Sequence, residues 1–314
     1  MNYQLSAVPL AETAEVLVAV GVPKLKEKSL PKELASLDAL SGGVLGQLFS
    51  SGDVTGARDE VTPVYLDGGR RRLLLVGMGK AEDISRAQLR RAAAVAARRA
   101  RTLGTGKVAF AVPSAWRGKA EVRDFAQVAA EGMAQGAWVF DELKTPNEDR
   151  KPPVTSLTVI VAPEERAAAE AGFRIGVAVA EGQSLARRLQ FLPPNRATPS
   201  FLAETDADLA SRHGFAITVM DRARLQEEGF GALLAVAQGS ATEPRFVVLE
   251  YKGAGDEAPV GLVGKGITFD TGGISIKPAA SMEDMKYDMS GAAAVLGAME
   301  AVGRLKPALN VVAA

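Results

Sequence analysis

The sequence predicts an α/β protein of two domains, each built on a largely parallel or mixed sheet. Three observations carry that prediction. Short apolar runs alternate with long Ala-rich segments, the order in which α/β architecture is written along a chain. The 314 residues amount to two domains at ~150 residues each. With 47% hydrophobic and 24% charged residues, the chain has apolar material for large cores and is not globally disordered.

Seven runs read as strands: 71–79, 107–113, 156–163, 215–221, 245–253, 259–266 and 309–314. Each is nearly continuous in apolar residues and bounded by Gly, Pro or charge, as in strands buried on both faces. Helices are expected at 83–103, 119–138, 164–190, 200–212 and 291–304, where Arg and Glu mark the wet faces. The stretch KTPNEDRKPP (144–153) concentrates Pro and charge and breaks regular structure. The expected plan is an N-terminal α/β domain over 1–163, a connecting helix over 164–190 and a second domain over 191–314. The final run, LNVVAA, reads as a strand with no turn or polar tail behind it. The second domain is therefore expected to be incomplete, with an apolar sheet edge left open at Val311–Ala314.

Composition excludes several classes of function. Lys plus Arg and Asp plus Glu both number 37, so no basic excess recruits a nucleic-acid backbone. With no cysteine there is no disulfide scaffold, Cys-ligated zinc or thiol catalysis, which fits a reducing cytoplasm. One histidine, His213, excludes poly-His metal sites; it falls at a predicted helix end, where it is expected to cap carbonyls or face solvent. The first basic residue is Lys24, so the opening lacks the positive start of a signal peptide. Apolar runs are far shorter than the ~20 residues of a membrane helix. A cytoplasmic protein without a membrane partner is expected.

Gly77-Met78-Gly79 follows a strand, but Glu82 stands where a dinucleotide fingerprint needs its third glycine, leaving a strand-to-helix turn. Gly264-Lys265-Gly266 fails as a phosphate loop, because Pro259 occupies the place of the first glycine and Gly266 that of Ser/Thr. The informative stretch is GKGITFDTGGISIKPAASMEDMKYDMSG, from Gly264 to Gly291. Its glycines imply a tightly turning backbone that approaches something closely. Lys265, Asp270, Lys277 and Asp288 alternate with Ile267, Phe269, Ile274 and Ile276, so the charges are expected to be partly desolvated. Two readings stay open on these residues alone: structural Lys–Asp ion pairs beneath a loop, or a site for cations and substrate.

The stretch closely resembles the catalytic signature of the leucyl aminopeptidase family, cytosolic two-metal exopeptidases. The resemblance extends through PPNRATP (193–199) and GFGALLAVAQGSATEPRFVVLEYKG (229–253), and it is strong over residues 170–314. It implies a smaller, macro-like, mixed-sheet N-terminal domain ahead of an α/β metallopeptidase domain. It also implies a homohexamer acting on peptides with two divalent ions, Mn or Zn, and a leaning toward leucine-like N-terminal residues. By resemblance Lys265 is a metal ligand, able to bind only as the neutral amine, so that metal displaces its proton. Asp270 matches the carboxylate bridging both ions, and Asp288 a ligand of one. Lys277 matches the lysine that holds the substrate carbonyl and stabilises the tetrahedral intermediate, and Met285 the wall of the side-chain pocket.

Two departures stand out. Phe191 occupies a position where the family normally shows Asn. The family's Asn-Thr-Asp-Ala-Glu-Gly-Arg-Leu segment, source of a further Asp, the second bridging Glu and an Arg, does not occur, and no Asp-x-Glu pair exists in these 314 residues. Turnover by this chain alone is therefore not expected. A non-catalytic family member, acting as a binding or scaffold protein, is the competing reading.

Overall fold

The computed structural model describes all residues except Pro146, Glu148 and Asp149, so that part of the KTPNEDRKPP stretch lies outside the described residues. The chain divides into two compact units, Met1–Ala180 and Glu181–Ala314. The first contains β1 (Asn2–Ser6), β2 (Leu17–Lys24), α1 (Ala35–Ser41), α2 (Val44–Ser51), β3 (Val61–Leu66), β4 (Arg71–Lys80), α3 (Arg86–Leu103), β5 (Lys107–Ala111), α4 (Val122–Ala137) and β6 (Ser156–Ile160). The helix α5 (Arg166–Phe191) carries the chain from the first unit into the second.

Six strands form one sheet in the order β1-β6-β5-β2-β4-β3. All neighbours run parallel except β3, which is antiparallel to β4. The mixed sheet expected for this unit is present. Its central strand β2 is buried without a break from Leu17 through Pro23, because both faces are covered. That strand, with β1 and β3, was not among the sequence-predicted runs. The Ala-rich composition of α3 and α4 has a packing cause: a Cβ on Gly132 or Gly136 would lie 2.1 Å from a carbonyl oxygen of α3, at Arg90 and Ala94. The two helices meet backbone to backbone, and only small residues fit between them.

The second unit continues with α6 (Pro199–His213), β7 (Ala216–Met220), α7 (Arg222–Glu227), α8 (Gly231–Ala237), β8 (Phe246–Lys252), β9 (Val260–Leu262), α9 (Ser290–Leu305) and β10 (Asn310–Ala313). The sheet order is β7-β8-β10-β9, with only the β10–β9 pair parallel. The run LNVVAA is thus an interior strand, and Val311 and Ala313 are buried against Leu249, Leu296 and Met299. This corrects the expected open edge: β10 lies between β8 and the earlier strand β9, which pairs with it in parallel. Helix α6 begins on the hydroxyl of Thr198, which accepts the Phe201 N–H at 3.3 Å, with Pro199 behind it.

Candidate active site

The candidate residues lie where the loop after β9 meets the start of α9. A Cβ on Gly264 would sit 2.6 Å from the carbonyl of Gly291, and one on Gly291 would sit 2.7 Å from the Lys265 amide nitrogen. Loop and helix therefore touch through bare backbone, which only glycine allows. The Ala292 N–H donates to the Lys265 carbonyl at 2.9 Å, and the Gly264 N–H to the Ala314 carbonyl at 2.8 Å. Lys265 is pinned between helix and strand, and its ammonium forms an ion pair with Asp288 Oδ1. Asp288 follows the 3-10 turn Met282–Tyr287 and donates its N–H to the Met285 carbonyl at 3.1 Å. Its second oxygen, Oδ2, is buried and has no hydrogen-bond partner.

The other half is a small hairpin. Gly272, at φ +89°, turns the chain where an L side chain would be strained. Its N–H donates to Asp270 Oδ1 at 2.8 Å, and it bridges antiparallel to Ile276. The Lys277 N–H donates to the Thr271 carbonyl at 3.0 Å. The hairpin thus returns Lys277 to Asp270, with Nζ 2.9 Å from Oδ2. The same Nζ donates to Met285 Sδ at 3.0 Å. The Lys277 hydrogen bond, aided by the Gly272 amide, holds the Asp270 carboxyl below its ordinary value of 3.8.

All five sequence-predicted residues are therefore joined in one chain of contacts: Asp270 to Lys277, Lys277 to Met285, Met285 to Asp288, and Asp288 to Lys265. The expected apolar shielding forms only in part: Ile267 and Phe269 are half-buried, as are Asp270 and Asp288. Ile274 is fully exposed and Ile276 72% exposed, because the hairpin carries its tip into solvent. Ser290, the first residue of α9, donates its hydroxyl to the Tyr287 carbonyl, and Met289 takes the cap position without a side-chain bond. His213 neither caps nor faces solvent. Its Nε2 lies 3.1 Å from Oε2 of buried Glu300, which also receives Arg212 and Arg304.

Sequence reasoning missed an aromatic group beside the site. Phe191 and Tyr287 meet edge to face at 6.0 Å, and the Lys286 ammonium lies 4.8 Å from the Tyr287 ring centre. No local pattern marks a pair so distant in sequence.

The donor set tests the implied metal. An orphaned, buried carboxylate oxygen costs free energy, and a cation is the partner that removes the cost. Two carboxylates and one amine suit several divalent ions. Among the described residues no three His, Cys, Asp or Glu converge elsewhere or here. A partnerless carboxylate oxygen beside a lysine nitrogen is chemically compatible with a divalent cation. Among the described residues no helix is long and apolar enough to cross a membrane.

Comparison with known proteins gives an independent reading. The catalytic domain of the cytosol aminopeptidase family matches residues 184–314, and that family's N-terminal domain matches residues 17–147. A probable cytosol aminopeptidase of Roseiflexus castenholzii is 41% identical over all of this chain and 62% of its own length. One from Chromohalobacter salexigens is 42% identical over 93% of this chain and 59% of its own length. Among solved structures, the bottromycin maturation enzyme BotP in complex with Mn matches with TM-score 0.78 and 30% identity, covering 96% of this chain and 58% of that one. A tomato leucine aminopeptidase mutant matches with TM-score 0.82 and 25% identity, covering 100% and 61%. The chain spans about three fifths of the length of the curated relatives it matches.

Proposed function

The chain belongs to the cytosol aminopeptidase family, and from that premise we propose that the protein is a metal-dependent aminopeptidase acting on peptides. In this reading it removes N-terminal residues, prefers leucine-like side chains, and works with two divalent ions as a cytoplasmic homohexamer. The observation that carries the reading is Asp288, one oxygen paired with Lys265 and the other buried without a donor. Lys265, Asp270 and Asp288 would hold the ions, and the Mn in the BotP complex favours Mn²⁺ over Zn²⁺ as the first to try.

Divalent ions at this donor set would supply Lewis acidity toward a peptide carbonyl and lower the pKa of an attacking water. The chain's own groups do the rest. Lys277 donates to a thioether, a weak acceptor, so a substrate carbonyl arriving beside Met285 readily replaces that contact. The ammonium then strengthens its hold as negative charge grows on the carbonyl oxygen. Asp270 stays ionised and keeps the ammonium aimed. Met285, unbranched and polarizable, offers an adaptable wall suited to a leucine-like side chain. The test, made in a full-length version, is hydrolysis of a leucine anilide with Mn²⁺ or Zn²⁺, read beside bound metal. Asp270→Ala should lose metal and rate together. A protein that keeps both after that change does not work through this site.

A further inference from the structure

We propose that Phe191 is a positioning residue for the metal site: its ring, set edge-on against Tyr287, holds the turn that delivers Met285 and Asp288. The proposal rests on the functional reading above and adds to it a residue outside the ligand set.

The turn Met282–Tyr287 has little to hold it. It is a 3-10 segment with no buried residue, entered through Ser281 at φ +61°. At its ends the Asp284 N–H donates to the Ser281 carbonyl and the Asp288 N–H to the Met285 carbonyl, both at 3.1 Å. Short 3-10 segments have poor hydrogen-bond geometry and rarely hold themselves. Yet this one presents Met285 Sδ to Lys277 and sets Asp288 against Lys265. The Ser290 hydroxyl ties its last carbonyl, that of Tyr287, to the start of α9, and the Tyr287 ring is met from α5 by Phe191.

Phe191 comes from a stiff place. It is the last residue of α5, and Leu192 closes the helix by donating its N–H to the Arg188 carbonyl at 3.2 Å before Pro193 and Pro194. The last turns of α5 are locked to α9, where a Cβ on Gly182 would lie 2.2 Å from the Gly297 carbonyl oxygen. Helices α5, which Phe191 ends, and α9 are thus packed backbone to backbone at Gly182 and Gly297. The ring meets Tyr287 at 6.0 Å with planes 72° apart, the edge-to-face arrangement that aromatic quadrupoles favour. The Lys286 ammonium lies 5.9 Å from the Phe191 ring centre and 4.8 Å from that of Tyr287. The aromatic pair therefore draws this third lysine onto ring faces. Phe191 remains 39% exposed, so the core does not account for it.

The experiment titrates Mn²⁺ into the chain and follows the free-ion electron paramagnetic resonance signal. Wild type is compared with Phe191→Ala, Phe191→Leu, Phe191→Tyr, Asp288→Asn and Phe230→Ala. The last removes a comparable aromatic pair, Phe230 with Phe246 at 5.1 Å, outside the site. The expected result is an affinity loss of about tenfold for Phe191→Ala and Phe191→Leu, with Phe191→Tyr within about twofold of wild type. Phe230→Ala lowers thermal stability without changing Mn²⁺ affinity. Should Phe191→Ala fail to fold, the contrast of Leu with Tyr decides. Unchanged affinity in Phe191→Leu, with Asp288→Asn abolishing binding, overturns the positioning role and leaves the functional reading standing. Binding that is indifferent to Asp288→Asn overturns the functional reading, and the proposal with it.

Discussion

The Lys277 ammonium lies 2.9 Å from the carboxylate of Asp270, across a hairpin that Gly272 turns, and reaches Met285 Sδ with a second hydrogen. The other lysine, Lys265, is paired with Asp288 and tied by its own carbonyl to the start of α9. The two cations thus occupy different structural settings: one on a hairpin beside the thioether, one anchored beside an orphaned carboxylate oxygen.

That difference separates two variants. In a full-length version, Lys277→Ala should lower kcat by about 10²–10³ with bound metal near normal, since it removes a donor to the developing oxyanion. Lys265→Ala should lose metal first and rate as a consequence. Metal analysis beside single-turnover rates distinguishes them; equal rate loss with full metal in both would show that the roles are mis-sorted.

Asp270 supplies a pH test. Its carboxyl is held below 3.8, first by Lys277 and then by the Gly272 amide. A depressed carboxyl contributes order that is present above its ordinary value and lost as pH falls through the depressed one. The hairpin should therefore stay closed at neutral and mildly acidic pH and loosen below pH 3.8. Lys277→Met should move the Asp270 titration, followed by carboxyl NMR, back up toward the ordinary value. No movement would mean that the ion pair is not formed in solution.

Asp206 shows the opposite sign. Burial on α6 pushes its carboxyl up from 3.8 to about 7. The folded state then binds a proton that the unfolded state has released, so its contribution falls as pH rises from 3.8 toward 7. Asp206→Asn should leave stability at pH 4 unchanged and raise it at pH 8 by about 2 kcal/mol or more. Denaturant unfolding at the two pH values measures both, and an equal effect at each would contradict the assignment.

Much of this was legible because strands buried on both faces leave long apolar runs, as in β4, β5 and β6, and because Ala-rich helices packed through Gly132 and Gly136 keep a plain 3.6-residue pattern. The strand β2 was as apolar as these yet escaped notice, since it follows an irregular opening rather than a helix. The charged members of the site were legible as a motif of residue types. The exposure of Ile274 and Ile276 was not, because they sit on a hairpin tip that no periodicity distinguishes from a strand. Neither was the Glu300 cluster around His213, which needs α6 laid against α9 before its partners meet.

The last prediction tests the joint that makes the site. Gly264→Ala places a Cβ 2.6 Å from the Gly291 backbone, and backbone on both sides gives little room to yield. Overpacking of this kind costs about 1–3 kcal/mol when a structure must shift to absorb it. The shift available is separation of the loop from α9, which stretches the 2.9 Å bond from the Ala292 amide to the Lys265 carbonyl. Lys265 then moves away from Asp288, and metal affinity should fall together with thermal stability. Gly273→Ala is the control on the same loop, with open space around its added methyl and an unrestricted φ. It should change neither quantity beyond experimental scatter. Equal losses in the two variants would place the sensitivity in the loop's general mobility, and the backbone contact between Gly264 and Gly291 would not be what seats Lys265.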